Sequence, residues 1–228
     1  AGKPACTLLH LGPGLSNGSA NLHNAKKANS PVVNLIGDHA TYHKKYDAPL
    51  TSDIIGLAQP VSDWVRTTES AENLPGDAVD AVVEASTGQG RISTLIVPAD
   101  CAWNESVAPL PLKTAPPAGP VSEAAVGQAA ALLTNGAVTM LLVGNLALTE
   151  RCLELVNQIA QKTGARVYWD TFFTRMPRGE GRCQIDRLAY FAEQGVEQIK
   201  DVSQLIMVGT KAPVAFFAYP EKPSEYYG

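Results

Sequence analysis

Five prolines crowd into the thirteen residues Ala108–Pro120, Ala-Pro-Leu-Pro-Leu-Lys-Thr-Ala-Pro-Pro-Ala-Gly-Pro. Neither a helix nor a central strand tolerates that density, because each proline removes a backbone donor and fixes φ. The chain is therefore expected to break there into two folded blocks joined by a semi-extended strap. The expected boundaries are 1–107, 108–120 and 121–228. With 228 residues, 45% hydrophobic and 18% charged, the chain has material for two cores of about 100 residues each.

Both blocks alternate strand and helix signals. In the first, Cys6–His10, Pro31–Ile36, Val61–Thr67 and Ile92–Val97 are short apolar runs of strand length. Between them, Ser16–Asn29, Ser52–Ala58 and Asp77–Ser86 read as helices, with Ser16 the expected N-cap of the first. In the second, Val138–Val143, Ala165–Trp169, Leu205–Val208 and a last apolar run Pro213–Ala218 alternate with helices over Ser122–Thr134, Thr149–Thr163 and Tyr190–Ile199. Gly164 is the expected C-cap of the second of these. Strand–helix alternation requires right-handed crossovers. The fold class is two three-layer α/β domains with mainly parallel sheets.

A net charge of −4 and the lack of a dense Lys/Arg cluster argue against a nucleic-acid partner. The pairs Lys26-Lys27 and Lys44-Lys45 read as solvated positions. No apolar run approaches the roughly 18 residues that span a bilayer, and no signal peptide is visible. The four cysteines (Cys6, Cys101, Cys152, Cys183) are widely spaced and lack a C-x-x-C pair. They are expected to be buried free thiols in a reducing compartment rather than zinc ligands. The chain opens without Met, as Ala1-Gly2-Lys3-Pro4, like an excised piece of a cytoplasmic parent.

The segment with the most chemistry is Leu9-His10-Leu11-Gly12-Pro13-Gly14-Leu15-Ser16-Asn17. It reads as a strand ending in histidine, a tight turn, then a helix with Asn17 in its first turn. Ligands of open α/β sheets sit at strand carboxyl ends and helix N-termini. An imidazole there is able to shuttle protons; a plain turn with a hydrogen-bonded histidine is the alternative. The run lacks G-x-G-x-x-G spacing, so it is not a dinucleotide fingerprint. A second segment, Asp38-His39-Ala40-Thr41-Tyr42-His43, follows a strand and places two histidines four apart. The glutamate of H-E-x-x-H is missing, so we assign no metal and expect a pocket rim. Gly144-Asn145 and Gly209-Thr210-Lys211 follow strands in the second block and read equally as turns or as a nucleotide edge.

Several of these segments, taken in order, resemble the thiamine-diphosphate-dependent enzymes. They are Ala1-Gly2-Lys3-Pro4-Ala5, Gly12-Pro13-Gly14-Leu15-Ser16-Asn17, Pro31-Val32-Val33-Asn34-Leu35-Ile36-Gly37, Pro49-Leu50-Thr51-Ser52-Asp53, Pro60-Val61-Ser62-Asp63-Trp64 and Leu95-Ile96-Val97-Pro98-Ala99-Asp100. The first block is similar to their pyrimidine-binding domain, the second to their Rossmann-like central domain. The likeness is to acetolactate synthases and benzoylformate decarboxylase. The decarboxylase places a proton-transferring histidine where His10 stands. The synthases carry Phe-Gln-Glu where Pro49-Leu50-Thr51 stands, a departure from their pattern.

The resemblance implies thiamine diphosphate with Mg2+ in the parent protein, and decarboxylation of a 2-oxo acid with aldehyde release or carboligation. It implies His10 as the catalytic proton shuttle, and Gly12, Pro13, Gly14 and Asn17 as the cofactor wall. It implies His39, His43 and Leu50 as the substrate rim, and a homodimer or homotetramer. FAD on the central domain occurs in some relatives. The family's activating glutamate lies upstream of Gly2-Lys3-Pro4 and its diphosphate site downstream, so the 228-residue chain alone is expected to lack turnover. The rival readings are a non-catalytic FAD- or nucleotide-binding module and an oligomerisation module of the same fold.

Overall fold

The computed structural model describes residues 3–117, 119–173 and 175–227. Ala1, Gly2 and Ala118, which belong to the resemblance segment and the strap, lie outside the described residues. The chain forms two compact units, residues 1–119 and 120–228.

In the first unit the strands are β1 (Ala5–His10), β2 (Val32–Asp38), β3 (Trp64–Thr67) and β4 (Ile92–Pro98). They form one parallel sheet in the order β1-β2-β4-β3. The helices are α1 (Leu11–Lys27), α2 (Ile54–Ala58), α3 (Leu74–Ala85) and α4 (Ala99–Trp103). Leu11, Leu15 and Leu22 of α1 and Ile54 and Ala58 of α2 pack with Val32, Ile36, Ile92 and Ile96 on one face of the sheet. Ala81 and Ala85 of α3 pack with Val33 and Leu95 on the other. Consecutive strand residues thus feed opposite cores, the pattern of a sheet covered on both faces. Full burial of each such aliphatic side chain stabilises the unit by about 1.5–3 kcal/mol.

A row of polar groups crosses this apolar sheet. Thr7, Asn34 and Thr94 stand level in the strand register. The Thr7 hydroxyl donates to Asn34 Oδ1 (2.8 Å), Asn34 Nδ2 donates to Thr94 Oγ1 (3.1 Å), and Thr94 Oγ1 lies 2.7 Å from Ser62 Oγ. Asn34 is fully buried. A one-residue slip of any strand would leave these groups unpaired in the interior, so the row fixes register.

Several expectations are corrected. The first helix begins at Leu11, not Ser16, and Gly12-Pro13-Gly14 is its first turn rather than a separate loop. The first-turn N–H groups have no intrahelical acceptor, so Pro13 loses nothing there. Asn17 consequently falls in the second turn and is exposed. β3 starts at Trp64 because Gln59–Val61, with Pro60, forms a 3₁₀ turn. Lys26 is not simply solvated: its ammonium donates to Ser62 O (2.7 Å) and pairs with Asp63 (3.5 Å), tying α1 to that turn. Lys44 pairs with Asp38. Of the cysteines only Cys101 is buried. Cys6 is exposed because β1 is a terminal strand of the sheet.

The described residues of the proline-rich stretch have no regular structure, and the chain leading into it and its first part are fastened to the first unit. Ser106 hydroxyl donates to Ala71 O, and Lys113 lies 3.4 Å from Asp80. Asp80 also accepts from Arg66, which bridges to Asp77 and lies 4.7 Å over the Trp64 ring.

The second unit contains α5 (Glu123–Thr134), β5 (Thr139–Val143), α6 (Glu150–Thr163), β6 (Arg166–Trp169), β7 (Asp186–Arg187), α7 (Ala192–Ile199) and β8 (Gln204–Val208). Its parallel sheet has the order β7-β6-β5-β8. Leu153 and Val156 of α6 cover one face and Ala192 and Ile199 of α7 the other. Thr149 caps α6 at its start and Gly164 ends it in the left-handed region, as its sequence requires. Pro213–Ala218 is not a strand. It makes a single bridge, Val214 to Glu225, and its phenylalanines join an exposed aromatic cluster with Phe172 and Tyr190. The two-residue β7 had no apolar run to announce it.

Candidate functional site

The carboxyl ends of β1, β2 and β4 lie side by side and carry the polar chemistry of the first unit. His10 closes β1, is exposed, and stands opposite Gly37 of β2. Asp38 closes β2 opposite Pro98 of β4. Beyond these ends follow Leu11, the His39–His43 run and Asp100.

The chain reverses sharply after His10. Leu11 adopts φ +53° while 97% buried. A left-handed leucine costs about 1–2 kcal/mol, and strain of this kind collects at functional sites. The buried side chain anchors the bend while the imidazole before it remains in solvent.

The glycines near this bend have different reasons to be glycine. A Cβ on Gly12 would fall 2.3 Å from Ser52 Oγ, so α1 and the residue before the α2 cap are pressed together. Ser52 in turn donates to Leu50 O (3.2 Å), which brings the Leu50 loop to the start of α1. A Cβ on Gly14 would meet nothing closer than 3.5 Å, and one on Gly37 only Leu9 O at 4.0 Å. No packing among the described residues demands glycine at 14 or 37, and both flank His10. Gly14→Ala is therefore expected to stabilise the fold by about 0.5–1 kcal/mol through helix propensity. Gly12→Ala is expected to destabilise instead. Urea denaturation separates the two.

His39 lies in an irregular segment and His43 in the turn that follows, neither on a helix, with ring centroids 5.4 Å apart. Among the described residues no group of three or more His, Cys, Asp or Glu offers a metal site. Asp38 Oδ1 accepts from His39 N (2.7 Å). Asp100, in the first turn of α4, accepts from Thr41 N (2.9 Å) and from Thr41 Oγ1 (2.5 Å). These two donors hold its carboxyl below the usual carboxylate range, the hydroxyl more strongly. Asp100 and Thr41 had no signal as site residues in the sequence beyond their place after a strand. Asn17 is exposed one turn along α1.

In the second unit, β5 and β8 are the neighbours from which the chain winds in opposite directions, the usual nucleotide crevice of such sheets. Here residues beyond the strand ends bond to one another. Asn145 Nδ2 donates to Gly209 O (2.7 Å), and Thr210 Oγ1 donates to Asp170 Oδ2 (2.5 Å). A Cβ on Gly209 would lie 2.6 Å from Gly144 O, and one on Gly144 2.9 Å from Thr210 Cβ. Gly144 and Gly209 are thus explained by their packing on each other and on Thr210.

Residues 1–59 match the family described as thiamine pyrophosphate enzyme, N-terminal TPP binding domain. The chain is 48% identical over 228 residues to IlvX of Mycobacterium tuberculosis, assigned by its name to the acetolactate synthase large subunits. That match covers 99% of this chain and 43% of the relative. The matches support a fragment of a thiamine pyrophosphate-dependent enzyme, with the family's N-terminal domain matched over residues 1–59. The chain is also 26% identical to acetolactate synthase of Bacillus subtilis, over 71% of this chain and 28% of that protein. It thus spans less than half the length of these relatives. Two solved structures share its fold. Benzoylformate decarboxylase of Polynucleobacter necessarius superposes with TM-score 0.80 at 21% identity, covering 99% of this chain and 42% of that one. The thiamine diphosphate-dependent 4-hydroxybenzoylformate decarboxylase of Rhodococcus jostii RHA1 gives TM-score 0.79 at 20% identity, covering 97% and 42%. Among the described residues no helix is long and apolar enough to cross a membrane.

Proposed function

We propose that this chain supplies the pyrimidine-binding wall and the central domain of a thiamine-diphosphate-dependent enzyme acting on a 2-oxo acid. The carrying observation is the exposed His10 at the end of β1, beside open backbone at Gly14 and Gly37, inside the segment that matches the family. The cofactor, when bound, supplies the electron sink that lets a carboxylate leave as carbon dioxide.

In this reading the chain's residues bind, orient and move protons. The His10 imidazole gives and takes the proton at the former carbonyl carbon or its oxygen. Gly12, Pro13 and Gly14, with Asn17 one turn further, form the cofactor wall. His39, His43 and Leu50 rim the substrate. Either aldehyde release or joining to a second carbonyl compound completes the reaction. Magnesium accompanies the diphosphate and is held by residues outside this set. The working form is a cytoplasmic homodimer or homotetramer, and residues 1–107, 108–120 and 121–228 are pyrimidine domain, strap and central domain.

Equilibrium dialysis of the full-length protein against thiamine diphosphate, FAD and ADP tests the reading, followed by carbon dioxide release from pyruvate and from benzoylformate. Retention of thiamine diphosphate and release from at least one acid are expected. Retention of FAD or ADP alone would make the protein a nucleotide-binding module. No ligand, together with a dimer in light scattering, would make it an interaction module.

A further inference from the structure

The segment between β2 and α2 does not hold its own shape. His39 Nε2 and Thr51 Oγ1 are buried with no hydrogen-bond partner among the described residues. Asp47 adopts φ +49°. Buried polar atoms without partners and left-handed non-glycine residues are both unfavourable. Such a segment keeps one conformation only if its surroundings impose it.

Two carboxylates do so. Asp38 acts locally, on His39 N and Lys44. Asp100 acts from 59 residues away and from the end of a different strand, β4. One of its oxygens takes the Thr41 N–H and the other the Thr41 hydroxyl. The first bond fixes the backbone of the turn, the second fixes the rotamer, and an ionised acceptor strengthens both. Thr41 is the middle residue of His39-Ala40-Thr41-Tyr42-His43, whose two imidazoles are in ring contact.

We propose that Asp100 is a positioning residue which, through Thr41, sets the pose of the His39–His43 pair at the substrate rim. The proposal rests on the reading of that pair as the rim. It adds a residue with no place in the cofactor wall or the proton shuttle. Rim contacts touch the substrate away from the reacting atoms, so their loss weakens ground state and transition state alike and falls on KM rather than kcat.

The test uses the full-length protein loaded with thiamine diphosphate, with pyruvate and benzoylformate as probes. Asp100→Ala is expected to raise KM about tenfold for whichever acid is turned over and to leave kcat within about twofold. Thr41→Val, which removes only the hydroxyl bond, is expected to raise KM by about threefold, and Thr41→Ser to restore it. The double variant is expected to match Asp100→Ala alone, because the two residues act as one unit. Hydrogen exchange at the Thr41 amide, read without cofactor, is expected to quicken in Asp100→Ala. Faster exchange with unchanged KM overturns the proposal, as does a kcat loss at constant KM. If Asp100→Ala does not fold, Thr41→Val against Thr41→Ser decides, and equal KM values overturn it. Wild-type protein that turns over neither acid overturns the underlying reading and the proposal with it. If His10→Ala retains full turnover while the KM pattern holds, only the role of His10 fails.

Discussion

His10→Ala in the full-length enzyme is expected to lower kcat/KM for a 2-oxo acid by about 10²–10⁴-fold, the usual contribution of a positioned general acid–base group. Thermal stability is expected to change little. The His10 backbone keeps its place in the ladder opposite Gly37. Its side chain makes no cap bond to α1 and stands in solvent outside the cores. The sharp bend that follows is held by Leu11, whose side chain is buried in the α1 core. Loss of turnover at constant melting temperature would assign the imidazole to chemistry. Retained turnover would remove His10 from the mechanism, and a large stability loss would make it a structural residue. His10→Asn is a useful companion, since it keeps a polar side chain but cannot exchange a proton near neutral pH.

The second large effect is on folding. Asn34→Leu keeps the branching and the number of side-chain heavy atoms but removes both polar ends of the amide from the interior of the first sheet. It leaves the hydroxyl of Thr7 without its acceptor and takes one of two partners from Thr94. Breaking one member of a buried, satisfied network costs about 2–4 kcal/mol, more than a hydrogen bond is worth on average, because the remaining partners stay desolvated. Urea denaturation is expected to show that loss. The quadruple variant Thr7→Val, Asn34→Leu, Ser62→Ala, Thr94→Val is expected to regain much of it, because every member of the row is then apolar. If Asn34→Leu costs less than about 0.5 kcal/mol, the polar row does not fix the register.

The two predictions divide along what the chain shows before it is folded. His10 was legible because its signal is local: an apolar run, a histidine, then glycine and proline. Asn34 lies inside the run Pro-Val-Val-Asn-Leu-Ile and reads there as one polar residue in a strand. Its role depends on Thr7 and Thr94, which are neighbours only once three strands align. The start of α1 was misplaced for a related reason. Gly-Pro-Gly signals a turn in isolation, but a helix can absorb it in the first turn when Gly12 is pressed against Ser52. The glycines of the second unit were equally open between turn and nucleotide edge, until Gly144 and Gly209 proved to be packed on each other.

Periodicity, proline content and turn residues are properties of neighbouring positions, so the amino-acid order alone determined the parallel α/β class and the histidine at a strand end. Tertiary structure alone decided which distant residues meet. It set the Asp100 grip on Thr41, the Thr7–Asn34–Thr94 row and the Asn145–Gly209 bond between the ends of β5 and β8. Each depends on which strands become adjacent and in what register, and burial across the whole sheet settles that.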